Sequence, residues 1–520
     1  MGSTTTKDNI YSNIHQEDPS ITPIPKRVLV IGGGPSGLVA LRNLVEQGRF
    51  ETIQLVERRD DIGGVWYYED PSKFEGETPK KPYWPSPAYK GLIGNVLPRH
   101  VSFSGAPFPL PPNTDEGQPY PTLTETHAYL KGLAAPYVAS GRIRVNTEVV
   151  RVEERAWGEG WTVFLKDWSD EGRGRETTEV WDAVVICVNW YDHPVWPDIE
   201  GLGALRNKGL ASHAKWWRGP KGRKGKRCVV VGNANSANDI AAQLASVAEV
   251  PVYQSIRRRA FPGCPYLPDD RIQMVKPVVK FAMKHGDGGT FDAYLEDGTV
   301  LTDLDEVICG TGYHPFPDFI KVLERPQLHS TPGYDGYLGL KEEVYSTSDR
   351  QSQDILTKHV PIVKDSVHPR RIPHLHRLMF YAPNPSLAFT GAYFSLTPFI
   401  TADVVSLYIS LVFAHRISLP SSTAKRLEYE RARLELVETL RQETQNPSSF
   451  LSFSVLAMGE EGYIQELRGE VVKVCPELDS KLLVWGPELT KEIDGSAAVK
   501  IRALEWLKAR GGAGNLSLKG

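Results

Sequence analysis

Three glycines spaced Gly32-x-Gly34-x-x-Gly37, with an acid, Glu57, 20 positions after the last, are residue types at a spacing that can hold a dinucleotide. Gly32 permits a tight turn, Gly34 lets backbone N–H groups approach a pyrophosphate, and Gly37 lets helix and strand pack closely. Pro35 and Ser36 complete the turn. The pyrophosphate then sits on the positive end of the following helix. Glu57 can accept hydrogen bonds from both hydroxyls of a ribose that carries no 2′-phosphate, and Arg58 follows it. The pattern returns in register 200 positions later as "CVVVGNANSAND", with Gly232, Ala234 and Ala237 at the three turn positions and Asn233, Asn235 and Ser236 among them. Where the first copy has Glu57 the second has Arg257, followed by Arg258 and Arg259. A guanidinium there can bind a 2′-phosphate in a bidentate fashion. By these charges the first turn fits FAD and the second fits NADPH. The Ala234 methyl stands where a phosphate should approach, which predicts a looser hold suited to a cofactor that exchanges.

These turns need strands and helices around them. "RVLVI" and "RCVVV" are continuous apolar runs of the kind buried in a parallel sheet, and "LVALRNLVEQG" and "ANDIAAQLASV" are the helices that follow. Two further strands with Pro-rich exits, 181–197 and 304–317, bracket the second nucleotide unit and read as crossings between domains. The expected fold is α/β with two Rossmann-like dinucleotide-binding domains. The smaller NADPH domain, 201–310, is inserted into a discontinuous FAD domain formed by 26–200 and 311–520, behind a disordered segment 1–25. Within 311–520, residues 421–445 read as a charged amphipathic helix that covers the core and carries no chemistry.

Composition narrows the rest. With 520 residues, 41% hydrophobic and 24% charged, the chain is that of a globular protein with a large core, and a net charge of -3 argues against nucleic acid or an anionic membrane surface as partner. The five cysteines, Cys187, Cys228, Cys264, Cys309 and Cys475, stand at least 36 positions apart, which excludes a CxxC pair and a zinc knuckle and places the chain in a reducing, cytoplasmic compartment. Residues 1–25 have no apolar stretch and do not read as a signal peptide; Gly2 and Thr6 fit a loose N-myristoylation pattern, read as chance. The apolar run 387–414 is interrupted by Gly391, Pro398 and Asp403 and reads as strand, turn and core helix rather than an integral membrane segment. "PHLH" at 373–376, with His368, lacks an acid or thiol at ligand spacing, so no metal is expected.

Further motifs occur in a fixed order: "DDIGGVW" with Gly64, Val65 and Trp66; "YKGLIGN" with Tyr89, Leu92, Gly94 and Asn95; "TEVVRV" with Val149; "GLASHAKWW" with Gly209 and His213; and "ICGTGY" with Gly312. Over about residues 25 to 415 the chain resembles the flavin-containing monooxygenases, the class B single-chain enzymes, and their fungal type in particular. The resemblance implies an FAD- and NADPH-dependent enzyme that inserts one oxygen atom from O2 into a small nucleophilic substrate, by N- or S-oxygenation through a flavin C4a-hydroperoxide. It implies Asn95 as the catalytic polar group beside the flavin ring, Trp66 packed on the flavin, backbone contact from Val149 to the adenine, and a structural role for His213. It also suggests a place in fungal secondary metabolism and leaves a homodimer open. The chain departs from the family fingerprint F-x-G-x-x-x-H-S-x-x-Y at Asn207, Ala214 and Trp217, and from the glycine of the first crossing at Asn189. His213 and Trp217 also share the spacing of the Baeyer–Villiger fingerprint, although Arg218 follows and the YPGxxxD segment is missing. Baeyer–Villiger oxidation of ketones and a flavin reductase or oxidase are therefore the alternative functions.

Overall fold

The computed structural model describes residues 24–70, 82–109, 118–156, 158–188, 190–258, 264, 266, 269–284, 289–325, 358–364, 367, 369–445, 450–456 and 459–509. Gly2, Asn189, Arg259 and His368 lie outside the described residues.

The first nucleotide unit opens with β1 (Arg27–Ile31), α1 (Pro35–Gln47) and β2 (Thr52–Val56). After α2 (Leu123–Ala139) come β3 (Ile143–Arg144), β4 (Thr147–Glu154), β5 (Trp161–Asp167), β6 (Arg175–Trp181) and β7 (Ala183–Ile186). The second unit contains α3 (Leu202–Asn207), β8 (Ala211–His213), β9 (Cys228–Val231), α4 (Asn235–Leu244), β10 (Val252–Ser255) and β11 (Ile272–Val275). It continues through β12 (Val278–Met283), β13 (Phe291–Leu295), β14 (Val300–Leu304) and β15 (Glu306–Cys309). The chain then returns as β16 (Ile320–Leu323), β17 (His359–Pro361), β18 (Leu375–His376), β19 (Phe380–Tyr381) and β20 (Leu387–Phe389). Four helices finish the described chain: α5 (Pro398–Phe413), α6 (Thr423–Glu443), α7 (Glu460–Val474) and α8 (Pro487–Ala509).

The fold is α/β, with two sheets of the dinucleotide-binding kind. In the larger, ordered β18-β19-β20-β7-β1-β2-β3, strand β1 is internal, and parallel β2 and β7 flank it with Val30 beside Leu55 and Val185. The second, β11-β10-β9-β15-β8, is parallel throughout and draws every strand from 211–309. Strands β1 and β9 are apolar because both faces of these sheets are covered. Helices α1 and α5 cover one face of the first sheet, and the sheet β17-β16-β4-β5-β6 covers the other through Trp161, Trp181 and Leu165. On the second sheet α4 packs Ile240 and Leu244 against one face, while α3 and the antiparallel ribbon β12-β13-β14 cover the other.

The run 387–414 folds as the buried strand β20, a loop and the buried helix α5. Its interrupting Asp403 is buried and held by Arg42 Nη2 at 2.6 Å, Asn43 Nδ2 at 3.1 Å and the Ser104 N–H at 2.6 Å. No described helix is long and apolar enough to cross a membrane. Helix α6 does more than cover the core with an apolar stripe: Arg426 and Glu430 are fully buried beneath it. Glu430 accepts from Arg371 Nε at 2.6 Å and the His374 N–H at 2.8 Å, and Arg426 donates to the carbonyls of Ala382 and Pro420. Charged residues that a helical projection assigns to solvent here satisfy loop backbone that would otherwise be buried without partners.

Candidate functional site

The two turns are built alike. Gly32 and Gly232 have φ of +108° and +128°, the region that favours glycine. A Cβ on Gly37 would stand 1.8 Å from the Gly32 carbonyl oxygen, so α1 lies directly on its turn. In the second unit the small residue has moved across the contact. Ala237 carries the methyl, and Gly310, one residue beyond β15, makes the room; a Cβ on Gly310 would be 2.7 Å from that of Ala237. In the first unit the position matching Gly310 is Cys187, whose Cβ faces Gly37.

Neither α1 nor α4 receives a hydrogen bond from its N-cap side chain, and neither has an acid in its first turn. By contrast α2 has a full capping box from Thr122 and Glu125, and Ser422 caps α6. These two N-termini, both on the cleft wall, therefore have neither a side-chain cap nor an acid of their own to answer their positive field. At α4 this space is partly filled: burial pushes the Cys264 thiol up, while the Asn235 N–H bonds to it and opposes the shift.

The acid and base ends also differ as their charges require. Glu57 is buried at the end of β2, accepting from the Gly33 N–H at 2.8 Å and the Arg59 N–H at 3.0 Å. Arg59 reaches on to the Gly64 carbonyl at 2.7 Å, and Gly64, with φ +57°, lies so close that its Cβ would be 2.7 Å from the Gly34 Cα. The GGVW segment thus closes over the first turn. At the end of β10, Arg257 is exposed and Arg258 half-buried, with the Arg258 carbonyl accepting from Asn233 Nδ2. Burial, then Arg257 and Arg441, lower the pKa of the Arg258 guanidinium.

A single cleft of about 1740 Å³ runs between the units. That exceeds the roughly 300–1,000 Å³ of an ordinary ligand pocket and suits more than one bound molecule. Of the residues singled out in the sequence, Gly32, Gly34, Pro35, Ser36, Glu57, Arg58, Gly64, Val65, Trp66, Gly94, Asn95 and Val149 line it from the first unit. Gly232, Asn233, Asn235, Ser236, Arg257, Arg258 and Gly312 line it from the second unit and the second crossing. Gly37 and Ala237 stand behind, in the helix–strand contacts. Asn95 is exposed on a loop whose neighbour Gly94 donates to the Pro121 carbonyl at 2.8 Å, and a Cβ on Gly94 would make a tight contact of 3.1 Å with that oxygen. Trp66 packs half-buried against the main core.

Long-range partners that no local pattern announces complete the site. The Tyr89 hydroxyl reaches across the cleft to Asp239 Oδ2 on α4 at 3.1 Å, and burial, then Asp239, push its pKa well up. Trp217, standing where the fingerprint has Tyr, donates from Nε1 to Gln243 Oε1 on the same helix at 3.2 Å. Arg58 binds both carboxylate oxygens of Asp192 at 2.8 Å, and Lys215 Nζ bonds the Asp192 carbonyl at 2.8 Å. Burial raises the Asp192 carboxyl, yet Arg58 and Lys215 outweigh it and hold it below the ordinary range. His213 is buried with Trp196 and Tyr313 rings at 5.6 and 5.2 Å, its Nδ1 accepting from the Lys215 N–H at 3.1 Å. Burial lowers its pKa to about 4, which keeps the ring neutral at pH 7. His376 is likewise buried against the Arg426 carbonyl, and no group of three or more metal-ligating side chains is gathered among the described residues.

The profile of the family described as flavin-binding monooxygenase-like matches residues 25–261, from before β1 through both turns to just past β10. Over that stretch the chain is similar to the flavin-containing monooxygenases. This enzyme is 29% identical over 406 residues to flavin-containing monooxygenase FMO GS-OX-like 2 of Arabidopsis thaliana, covering 76% of the chain and 75% of the relative. It is 31% identical over 309 residues to the thiol-specific monooxygenase of Saccharomyces cerevisiae, covering 58% and 64% of the two chains. Its fold is similar to that of S-allyl-L-cysteine S-oxygenase from Allium sativum, with a TM-score of 0.62, 24% identity, and 91% and 98% of the two chains covered. It is a flavin-dependent monooxygenase.

Proposed function

We propose that this monooxygenase takes FAD on the Gly32 turn and NADPH on the Gly232 turn, and oxygenates the sulfur of a small thiol or sulfide. The carrying observation is the cleft itself, one continuous space with an acid-ended nucleotide turn on one side and a base-ended one on the other. The close Gly34–Gly64 backbone contact and the uncapped α1 leave a cradle of N–H groups for the pyrophosphate of FAD, with Glu57 at the ribose. Arg257 and Arg258 offer cations to the 2′-phosphate of NADPH, and residues 201–310 form the unit that carries it. Bound flavin supplies the electron transfer from NADPH and the activation of O2. The balance is NADPH, a proton, O2 and a sulfide giving NADP+, water and a sulfoxide. Asn95, exposed to the cleft, presents an amide that both donates and accepts, which suits an oxygen atom in transit. Tyr89 holds that loop against α4, and the aromatic walls exclude water.

Sulfur is favoured over nitrogen because relatives named for thiol and S-oxygenation share the chain's sequence or fold. The test follows NADPH oxidation with a small alkyl thiol, a dialkyl sulfide, a tertiary amine and cyclohexanone, quantifying organic product and H2O2 together. Oxygenated sulfur product in near-equal amount to NADPH consumed is expected. An N-oxide alone, a lactone from the ketone, or NADPH returned wholly as H2O2 would overturn the assignment.

A further inference from the structure

We propose that Glu460, at the start of α7 and outside the residues matched by the family profile, is a positioning residue for the oxidisable substrate, fixing the loop Phe394–Thr397 that walls the cleft. The inference rests on the monooxygenase reading of that cleft. The loop joins β20 to α5 and places Tyr393, Phe394 and Leu396 on the cleft wall. Loops at strand ends are where α/β proteins put ligands, and such a loop needs a strut to hold one shape.

Glu460 is 1% exposed and collects five hydrogen bonds, from two backbone N–H groups and three hydroxyls between Ser395 and Thr401. Its Oε2 accepts from the Leu396 N–H at 2.7 Å, and its Oε1 from the Thr397 N–H at 3.0 Å. Hydroxyls of Ser395, Thr397 and Thr401 reach Oε1 at 2.6, 2.5 and 3.0 Å. Thr397 is the N-cap of α5 but makes no side-chain cap, so the carboxylate serves as the helix's capping anion from another element. No Lys or Arg among the described residues forms an ion pair with it. Burying a carboxylate on neutral donors alone is costly for stability, and its return is a fixed geometry. The other side of the loop is pinned by backbone: the Phe394 N–H donates to Ser454 at 2.6 Å and the Leu456 N–H to Phe394 at 2.9 Å. The Phe394 ring is thereby set between Trp190, at 6.3 Å, and Phe450, at 5.5 Å. Because this wall is aromatic and aliphatic, the part of the substrate that it orders is apolar.

The experiment compares the flavin-loaded wild type with Glu460→Gln and with Thr401→Val, which removes one donor only. Glu460→Gln should raise KM for the oxidised sulfur compound about tenfold, as a loosened wall would, and speed amide exchange in the peptide spanning 390–400. KM for NADPH and flavin content should stay within about twofold, with Thr401→Val shifting KM the same way by less. Unchanged substrate KM overturns the proposal, as does a joint collapse of substrate KM, NADPH KM and flavin content, which would mark Glu460 as a general structural residue. Should the wild type oxidise only the amine or the ketone, S-oxygenation falls and the same comparison is made with that compound. A wild type inert to every probe overturns both readings.

Discussion

Arg257 shows what a single residue contributes and how it can be tested. It stands exposed on the cleft wall at the end of β10, where the equivalent residue of the first unit is the buried Glu57. Arg257→Ala should weaken NADPH by roughly 1 to 3 kcal/mol through loss of a charged hydrogen-bonded pair, and leave NADH nearly unchanged. Competitive binding of NADP+ and NAD+ to the variant checks this; equal losses for both would refute the phosphate contact. His213 and His376 give the fold a pH dependence. Histidine ionises near pH 6.5 when unfolded, whereas burial holds both rings at about 4. Between those values the unfolded chain binds protons that the folded one refuses, so stability is complete above about pH 6.5 and declines as pH falls toward 4. The span of the shift corresponds to about 3 kcal/mol for each ring. Urea midpoints measured across pH 4 to 7 should fall less steeply for His213→Asn than for the wild type, whatever its absolute stability; an identical slope would contradict the buried neutral ring. The types of these residues were legible in the sequence. Their partners were not: Tyr89 with Asp239 and Trp217 with Gln243 join positions 150 and 26 apart, a distance over which no local periodicity carries information.

At the scale of elements, β1, α1 and β2 and their counterparts β9, α4 and β10 were readable because buried parallel strands are continuously apolar and their turns demand small residues. What remained hidden was the exchange of small residues between helix and crossing strand, Gly37 with Cys187 in one unit and Ala237 with Gly310 in the other. That pairing makes a double-mutant prediction. Gly310→Ala should cost about 1 to 3 kcal/mol by overpacking, and Ala237→Gly in the same chain should recover most of the loss. Thermal unfolding of the two single variants and the double variant measures it; additive losses would show that the two residues do not share the contact. Helix α6 was legible as a helix but not in its docking. Arg426 and Glu430 lie within a strongly charged run, and only the folded chain brings them to Arg371, His374 and Ala382.

Over the whole molecule, two nucleotide units are useful only if they face one another. The Arg58–Asp192–Lys215 chain of contacts ties the end of β2, the first crossing and the segment after β8, and the bridge between Pro194 and Tyr313 joins the two crossings. Repetition at a spacing of 200 residues made the two strand–turn–helix–strand units visible in sequence. The C-terminal part beyond residue 415 gave no such sign, because its contribution, Glu460 on the cleft loop, is a tertiary contact made by a residue type that is common on helix surfaces. The direct measurement is a reaction with 18O2, NADPH and the preferred sulfur compound, followed by mass spectrometry of the product. One labelled oxygen atom in the product for each NADPH oxidised is the predicted result; unlabelled product, or NADPH consumed with all of the label recovered as peroxide, would contradict oxygen transfer in this cleft.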